Sequence, residues 1–406
     1  MSSEVFKTLA SEATGPFKGV RIIDMTGVVF GAYATQILAD LGADVIKIES
    51  PGGPRGEGGD VMRWTPAQNP KAPDLGPIFV TINRNKKSAL LDISTPEHKE
   101  VMVELLKSAD VLASTVRYEG MTRLGLDYEG VKAINPEIVY VHGSGYGAAG
   151  PRAGEPAYDD LIQAASGCAD LLSRVDGNPE PRYLPTLVGD KVSGLFMSQA
   201  IMAALFHKQK TGEGQFVEVP MFESVTSFIL AEHMFGHVYD PPTGQWAYSR
   251  LANPARRPFR TKDGFLGLMP YSVGHWRRFF KLADLAELIE DERFQTQTGI
   301  AQNIRELYGI LEKSTIHKTT EEWIAALASK GVPAVPVNRL DDLPTDKQLA
   351  AVDFFQKYDH PVAGAYYSIR SPMLFSKTPA NIRLHPPRLG EHTEEIMAEV
   401  KARKGA

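Results

Sequence analysis

The stretch Val20-Arg-Ile-Ile-Asp-Met-Thr-Gly27, followed by a helix-like run and then Leu38-Ala-Asp-Leu-Gly-Ala-Asp-Val-Ile-Lys-Ile-Glu49, decides the fold of this chain. The pattern predicts a strand, a glycine turn, a helix that stops at Gly42, and a second strand that ends in the acidic Glu49. A parallel β-α-β unit of this kind places a ligand at the carboxyl edge of its sheet. The chain is therefore predicted to handle a nucleotide-bearing molecule.

NAD is the first nucleotide to consider, because Glu49 lies roughly twenty residues after the turn, where an acid binds the ribose of a dinucleotide. The glycines disfavour this interpretation. Gly27 and Gly31 are spaced G-x-x-x-G, which lacks the close backbone approach to a pyrophosphate that G-x-G-x-x-G provides. Glycines that merely permit a tight turn explain the pattern as well.

Composition is typical of a globular enzyme. The chain has 406 residues, of which 43% are hydrophobic and 23% charged, and this length predicts two or three domains. A net charge of −5 gives no nucleic-acid footprint. Since we find neither a membrane-length apolar run nor a signal-peptide core, we expect a cytoplasmic protein without a membrane partner. A single cysteine, Cys168, excludes a disulfide framework and a metal site of clustered cysteines.

Strand and helix patterns alternate to about residue 220, after which the sequence becomes helix-like and aromatic, and then rich in loops. A helix is predicted at 101–107. The further predicted strands lie at 110–113, 138–142, 216–219, 265–269 and 331–337. This order predicts an α/β sheet domain followed by a smaller mixed domain.

Several further motifs follow the opening stretch in a fixed order. They are Asn83-Arg-Asn-Lys-Lys-Ser88, Leu124-Gly-Leu126, Gly143-Ser-Gly-Tyr-Gly147, Tyr158-Asp-Asp-Leu-Ile-Gln163, Gly189-Asp-Lys-Val-Ser-Gly194, Lys210-Thr-Gly-Glu-Gly-Gln215, Lys262-Asp-Gly264 and Leu389-Gly-Glu-His-Thr393. Together with Leu38 to Glu49, this ordered set resembles the class III CoA-transferases, also called the CaiB/BaiF or formyl-CoA-transferase family. The resemblance covers nearly the whole chain, from residue 19 to about 396.

The resemblance implies a Rossmann-like large α/β domain built from a discontinuous chain, with a smaller α+β domain inserted in it. The expected limits are 1–222 for the first part of the large domain, 223–332 for the small domain, and 333–406 for the segment that returns to the large domain. The resemblance also implies an interlocked homodimer, in which each chain is threaded through its partner, or a heteromer with a related subunit.

Asp190 carries the expected chemistry. It stands beside Gly189, ahead of an apolar helical stretch at 195–206, and this pattern alone is typical of helix capping. The resemblance instead matches Asp190 to the family's catalytic nucleophile. A helix N-terminus would hold the carboxylate ionised, and the first-turn N–H groups would stabilise developing negative charge.

The activity implied is CoA transfer from an acyl-CoA thioester to a free carboxylic acid through a covalent aspartyl intermediate. Coenzyme A thioester is then a substrate, and no permanently bound cofactor or metal is expected. The supporting and acyl-pocket residues implied are Tyr158, Asp159, Gly143, Gly145, Tyr146 and Gly147. The CoA-binding residues implied are Val28, Val29, Glu49, Arg84, Lys86, Lys87 and Arg123.

Simpler interpretations stay open for some of these residues. The glycines at 143–147 would let backbone N–H groups approach the acyl intermediate, but they also suit a plain turn. The basic run at 84–87 would neutralise CoA phosphates, or it forms a solvated turn. Cys168 lies in an apolar, helix-like run with no activating partner, and we expect it to be buried and unreactive.

Two alternative functions are kept. The α-methylacyl-CoA racemase branch shares this aspartate, but it pairs it with a histidine where this chain has Tyr158. A tyrosine with a pKa of about 10 replaces an imidazole poorly, and His142 lies sixteen residues upstream. The second alternative is a non-catalytic CoA-binding subunit of a heteromeric transferase. Val29 and Ser50 replace the glutamine and arginine of the formyl-CoA-transferase branch, which indicates a pocket not built for formate and oxalate.

Overall fold

The structure is a computed structural model that describes residues 5–52 and 56–405. It divides into two compact units. The first comprises the described parts of Met1–Ala169, Tyr183–Ala231 and Lys347–Ala406, and the second comprises Asp170–Arg182 and Glu232–Asp346. The second unit thus includes a segment, residues 170–182, that we expected within the large domain. The predicted limits at 222 and 332 stay a prediction.

The first unit is built on a parallel sheet. Its strands are β1 (Arg21–Met25), β2 (Asp44–Glu49), β3 (Lys86–Leu90), β4 (Val111–Ser114), β5 (Val139–Ser144) and β6 (Phe216–Pro220). They form a six-stranded sheet in the order β3-β2-β1-β4-β5-β6, and every adjacent pair is parallel. This is the strand order of a doubly wound nucleotide-binding fold, whose switch point lies between β1 and β4. The predicted α/β class is confirmed.

Seven α-helices lie between these strands in the described part of the chain. They are α1 (Phe30–Asp40), α2 (Pro77–Ile82), α3 (Pro96–Lys107), α4 (Tyr118–Leu124), α5 (Tyr128–Ile134), α6 (Asp159–Ala165) and α7 (Val188–Thr211), and α8 (Met221–His233) follows β6. As predicted, α1 ends just before Gly42, whose φ of +106° is accessible to glycine at little cost.

The core of this unit forms where the central strands meet the helices. Ile23, Ile46 and Leu112 are fully buried in register on three adjacent strands and pack with Leu105 of α3. Strands buried on both faces read as continuous apolar runs, and this is why β4 and β5 could be predicted. The edge strand β3 could not, because Lys86 and the residues after it read as a polar turn.

The second unit has its own small sheet and core. Its antiparallel strands are β7 (Phe259–Arg260), β8 (Phe265–Leu268) and β9 (Ala334–Pro336), and its helices are α9 (Val273–Leu282), α10 (Gln297–Gln302), α11 (Ile304–Thr315) and α12 (Thr320–Ala328). Trp276, Phe279 and Trp323 are buried at its centre. Thr319 and Glu322 form a capping box that starts α12.

The C-terminal segment belongs to the first unit. It contains α13 (Lys347–Ala351), a hairpin of β10 (Phe355–His360) and β11 (Gly364–Ile369), and α14 (Thr393–Lys404). Ile396 and Val400 of α14 are buried in the core of the first unit. Shorter 3-10 turns lie at Val61–Trp64, Cys168–Asp170, Phe235–Val238, Ala286–Ile289, Glu292–Phe294 and Leu340–Thr345. Within the described residues, no helix is both long and apolar enough to cross a membrane.

Candidate active site

A cavity of about 620 Å³ lies at the carboxyl edge of the sheet, where β1, β4 and β5 end. Its lining includes Val28 after β1, Tyr118 after β4, the end of β5 and Asp190 at the start of α7. Because β1 and β4 flank the switch point, this is the position at which the fold binds its ligands.

Asp190 faces this cavity from the third residue of α7 and is 6% exposed. Its Oδ1 accepts a hydrogen bond of 2.9 Å from the Phe30 N–H. Within the described part of the chain, Oδ2 of Asp190 has no hydrogen-bond or ion-pair partner. Burial raises the pKa of Asp190 to about 6, and the charge of Asp159 adds to the rise. The hydrogen bond from the Phe30 N–H acts in the opposite direction and lowers this pKa. The carboxylate is ionised at neutral pH, but less readily than the helix N-terminus led us to expect.

Asp159 reaches α7 from the first residue of α6. Its Oδ1 accepts hydrogen bonds from the N–H groups of Gly189, at 2.6 Å, and Asp190, at 3.2 Å. Its Oδ2 accepts one of 2.6 Å from Gln163. Asp159 therefore caps α7 from outside, and Asp190 is not the N-cap. Two of the first-turn N–H groups that we expected to stabilise developing charge are occupied by Asp159.

The turn between β1 and α1 fixes the Phe30 N–H. Val28 has a φ of +59°, a conformation that strains a β-branched residue. Hydrogen bonds hold the turn, from the Gly27 N–H to Oγ1 of Thr115 at 3.0 Å and from the Val28 N–H to Oδ1 of Asp60 at 3.2 Å. Val28 lines the cavity, whereas its neighbour Val29, the second predicted CoA contact, is buried against Ile82.

The glycine cluster at the end of β5 allows close packing. A Cβ at Gly143 would lie 2.7 Å from the Phe30 ring, and one at Gly145 would lie 2.3 Å from Cβ of Ala157. Gly143, Gly145 and Tyr146 line the cavity. Gly147 donates its N–H to Glu223 at 2.9 Å, so this N–H is not open to an acyl intermediate.

Three predicted CoA-binding residues are enclosed by the fold. Arg84 pairs with Asp40 at 2.6 Å, and Lys86 pairs with Asp24 at 3.0 Å. Burial lowers the pKa of Lys86 to about 8, even though the Asp24 carboxylate opposes it. Glu49 is held by Arg63 at 2.6 Å. These three charges are buried and paired inside the fold, and none of the three residues lines the cavity.

The remaining predicted residues are more accessible. Tyr158 is 67% exposed and lines the cavity. Lys87 is partly exposed and pairs with Glu395 at 2.8 Å. Arg123 is exposed near the end of α4. Neither Lys87 nor Arg123 lines the cavity.

His142 was not singled out as a site residue, yet it lines the same cavity as Asp190 and is 5% exposed. We discounted His142 because it is sixteen residues from Tyr158 in the sequence. That inference was wrong, because both residues line the same cavity. The available signal was its position at the carboxyl end of a predicted strand, directly before the glycine cluster. Burial lowers the pKa of His142, although the charges of Glu218 and Glu119 act to raise it.

Cys168 is buried and donates its thiol to Oε1 of Gln163 at 3.7 Å. Burial raises the pKa of this thiol, and the Asp159 charge adds to the rise. This placement agrees with the predicted unreactive cysteine. The described residues also contain no group of three or more His, Cys, Asp or Glu side chains suited to a metal ion.

Comparison with known proteins decides the family. The sequence profile described as CoA-transferase family III matches residues 17–393. This chain belongs to CoA-transferase family III. The resemblance and the enzyme class predicted from the sequence are thereby confirmed, and family III CoA-transferases use CoA thioesters as substrates.

Relatives of this family III chain match over nearly their whole length. The succinate–glutarate CoA-transferase of Agrobacterium fabrum is 31% identical over 397 residues, covering 95% of this chain and 96% of that protein. A formyl-CoA:oxalate CoA-transferase of Afipia carboxidovorans is 30% identical over 413 residues, covering 94% and 93%. The crystal structure of a CaiB/BaiF family protein from Brucella suis matches with a TM-score of 0.79 at 30% identity, covering 95% and 100%.

Proposed function

We propose that this enzyme moves CoA from an acyl-CoA to a free carboxylic acid through a covalent intermediate on Asp190. The observation that carries the proposal is the geometry of this carboxylate. It lines the cavity at the switch point, its Oδ1 is held by the Phe30 N–H at 2.9 Å, and its Oδ2 is left without a protein partner among the described residues. A fixed carboxylate with one unengaged oxygen suits a nucleophile.

In the proposed reaction, Oδ2 of Asp190 attacks the thioester carbonyl carbon. The C–S bond breaks, and a mixed anhydride and free CoA thiolate form. The thiolate then attacks Cγ of Asp190, which releases the donor acid as its carboxylate and leaves an aspartyl-CoA thioester. The acceptor carboxylate attacks this thioester, and the same steps in reverse give the new acyl-CoA and free Asp190.

Supporting roles are proposed for residues around this carboxylate. Asp159 positions the start of α7, and hence Asp190, through its bonds to two backbone N–H groups. Gly143 and Gly145 are the remaining candidates for N–H donors to the acyl oxygen, since the Gly147 N–H is engaged. Val28 is proposed to contact CoA at the cavity, and Lys87 and Arg123 are proposed to neutralise its phosphates.

The function is tested by assaying the purified chain alone. A panel of acyl-CoA donors is mixed with a panel of carboxylic acids, and new acyl-CoA species are identified by mass spectrometry. We expect CoA transfer for at least one pair. No transfer by the chain alone, with transfer restored by a related subunit, would instead support the non-catalytic subunit alternative.

Activity should depend on the ionisation of Asp190. Because burial raises the pKa of this nucleophile to about 6, kcat/KM should fall about tenfold per pH unit below about pH 6. Asp159→Asn removes a like charge and should move this acid limb to lower pH, whereas the matched change at exposed Asp160 should not. An acid limb near pH 4 in the unmodified enzyme would contradict the assignment of Asp190.

Racemisation is kept as a second candidate because His142 lines the same cavity as Asp190. Racemisation needs a second group that returns a proton to the α-carbon. Since burial lowers the pKa of His142, its imidazole is neutral at neutral pH and is a poor acid for this step. We therefore expect no deuterium incorporation when a 2-methylacyl-CoA is incubated in deuterated water without an acceptor acid. Rapid exchange at the α-carbon would favour the racemase.

We further propose that the chain acts in the cytoplasm as an interlocked homodimer, or as a heteromer with a related subunit. Leu195, Phe196 and Phe206 of α7 are large apolar side chains that stay exposed in the single chain, which supports burial in an assembly. Light scattering should give twice the chain mass of 44.5 kDa. A monomer that retains full transfer activity would contradict this proposal.

A further inference from the structure

A buried ion pair lies behind the turn that joins β1 to α1. Lys47 of β2 pairs with Oδ2 of Asp60 at 3.0 Å, and the side chain of each is 1% exposed. The Glu49 carboxylate accepts a hydrogen bond of 2.9 Å from the Asp60 N–H, and Asp24 and Lys86 also lie within electrostatic reach of Lys47. Burying two charges costs free energy that their attraction often does not recover, so such a pair is weak evidence of stability. What this pair does for the protein therefore depends on the groups that it contacts.

Both members of the pair contact the backbone of the turn. Nζ of Lys47 donates a hydrogen bond of 2.6 Å to the Thr26 carbonyl. Oδ1 of Asp60 accepts one of 3.2 Å from the Val28 N–H. The turn needs such contacts, because the φ of +59° at Val28 is unfavourable for a β-branched residue and persists only where neighbouring groups enforce it. Lys47 and Asp60 thus hold the turn on both sides of Gly27.

The same turn places the donor that holds the nucleophile. Two residues after Val28, Phe30 begins α1, and its N–H donates to Oδ1 of Asp190 at 2.9 Å. This bond orients the carboxylate and acts to lower the pKa of Asp190, so it favours the ionised form that attacks the thioester. A displaced turn would therefore change both the orientation and the ionisation of Asp190.

We propose that Lys47 and Asp60 are positioning residues for the nucleophile, because they hold the turn between β1 and α1 so that the Phe30 N–H meets Asp190. This inference rests on the proposed CoA transfer and adds two residues to it. Neither Lys47 nor Asp60 is among the described residues that line the cavity. Their effect on catalysis therefore reaches Asp190 through the turn or through their charges, and the test separates these two routes.

The two routes predict different acid limbs of kcat/KM. Through charge alone, Asp60→Leu would lower the pKa of Asp190 by removing a negative charge, and Lys47→Met would raise it. Through the turn, both variants weaken the Phe30 N–H bond and move the limb above about pH 6. We expect the second pattern, with kcat at least about tenfold lower and KM changed less than about threefold, since small displacements of a reacting group are costly. Asp159, whose charge also raises this pKa, stays in place in every variant.

A double variant keeps the test valid where a single variant does not fold. Lys47→Met with Asp60→Leu leaves neither charge of the pair without its partner, and apolar replacement of a buried pair is often tolerated. Its net charge equals that of the parent, so a raised acid limb reports the turn. The matched control is Arg388→Met with Asp74→Leu, which replaces a pair outside the cavity whose carboxylate also accepts a backbone N–H, from Leu389. This control should keep the kcat and the acid limb of the parent.

Three results would overturn this inference. They are a parent-like kcat and acid limb in the double variant, limbs that move in opposite directions in the two single variants, and a double variant that fails to fold although its control folds. Urea unfolding of the same preparations measures folding, and the position of the acid limb does not depend on the folded fraction. The proposed function itself falls only if the unmodified enzyme shows no CoA transfer in the wider donor and acceptor panel.

Discussion

Asp190→Asn is expected to abolish CoA transfer and, at neutral pH, to stabilise the fold. An amide cannot attack the thioester as a carboxylate does, so kcat should fall by at least about 10³-fold. The amide oxygen can still accept the Phe30 N–H, so the site should stay intact. Initial rates by mass spectrometry measure the loss, and transfer within about tenfold of the unmodified enzyme would contradict the nucleophile assignment.

The stability gain follows from the raised pKa. A rise from 3.8 to about 6 means that ionised Asp190 costs the fold up to about 3 kcal/mol. Because the folded-state pKa is raised, this cost is absent well below the unfolded pKa of 3.8, where both states are protonated, grows as pH rises from about 4 to about 6, and stays at its full value above that. Urea unfolding should therefore show Asp190→Asn more stable than the parent at pH 7 and nearly equal to it at about pH 3. The control Asp160→Asn, at an exposed neighbour, should change neither value.

Arg63→Met should produce the largest loss of stability. Arg63 is fully buried and contacts both oxygens of Glu49, at 2.8 and 2.6 Å. Burial alone would raise the pKa of Glu49, but the bonds and charge of Arg63, together with the charge of Lys47 and the bond from Ser88, outweigh it and lower the pKa to about 2. Removing one partner of a buried pair leaves an unpaired charge and costs about 3–5 kcal/mol. Urea unfolding at pH 7 measures the change.

Two further variants test the cause of this loss. Arg293→Met removes an arginine whose ion pairs with Asp291 and Glu306 are exposed, and it should change stability much less. Adding Glu49→Gln to Arg63→Met removes the orphaned charge and should recover part of the loss. Equal losses for Arg63→Met and Arg293→Met would contradict the role assigned to the buried pair.

The contribution of Glu49 to the stability of the fold should decrease at acidic pH. The folded-state pKa of Glu49 is lowered from 4.5 to about 2, so its contribution to stability is present above the unfolded pKa and is lost as pH falls from about 4.5 towards 2. The difference between the parent and Arg63→Met should therefore narrow over this range.

Local pattern was enough to predict the central sheet. β1, β2, β4 and β5 are short runs rich in apolar residues, and their length and composition indicate buried strands without any tertiary information. The helix end at Gly42 and the burial of Cys168 were predicted from residue type, because glycine commonly ends helices and free cysteine is usually buried. The cavity lies at the edge of the sheet that the parallel β-α-β unit indicated, because the carboxyl ends of parallel strands meet at one edge.

Charges were harder to place from the sequence. Arg84 and Lys86 look like a solvated or phosphate-binding turn, but Asp40 and Asp24, more than forty residues earlier, neutralise them inside the fold. Glu49 looks like a ribose ligand, but Arg63 encloses it. Partners this distant in sequence are chosen by the tertiary fold, so no local pattern shows which charges are buried.

The sequence named several residues that line the cavity, but it did not show the contacts among them, because those contacts join residues distant in the chain. Asp190 and Asp159 were named, but the capping of α7 by Asp159 joins two helices, and the Phe30 N–H depends on the strained turn at Val28. His142 reaches the cavity through the parallel order of β4 and β5. Separation along the chain, which made His142 seem irrelevant, says little about distance at a sheet edge.

Trapping the intermediate on Asp190 tests the covalent mechanism most directly. The purified enzyme is incubated with a reactive acyl-CoA, quenched with hydroxylamine, digested and mapped by mass spectrometry, with Asp190→Asn and Asp160→Asn treated in parallel. We predict a hydroxamate on Asp190 in the parent and in Asp160→Asn, and none at position 190 in Asp190→Asn. CoA transfer by the parent with no modification of Asp190, or with the label on another residue, would contradict the mechanism.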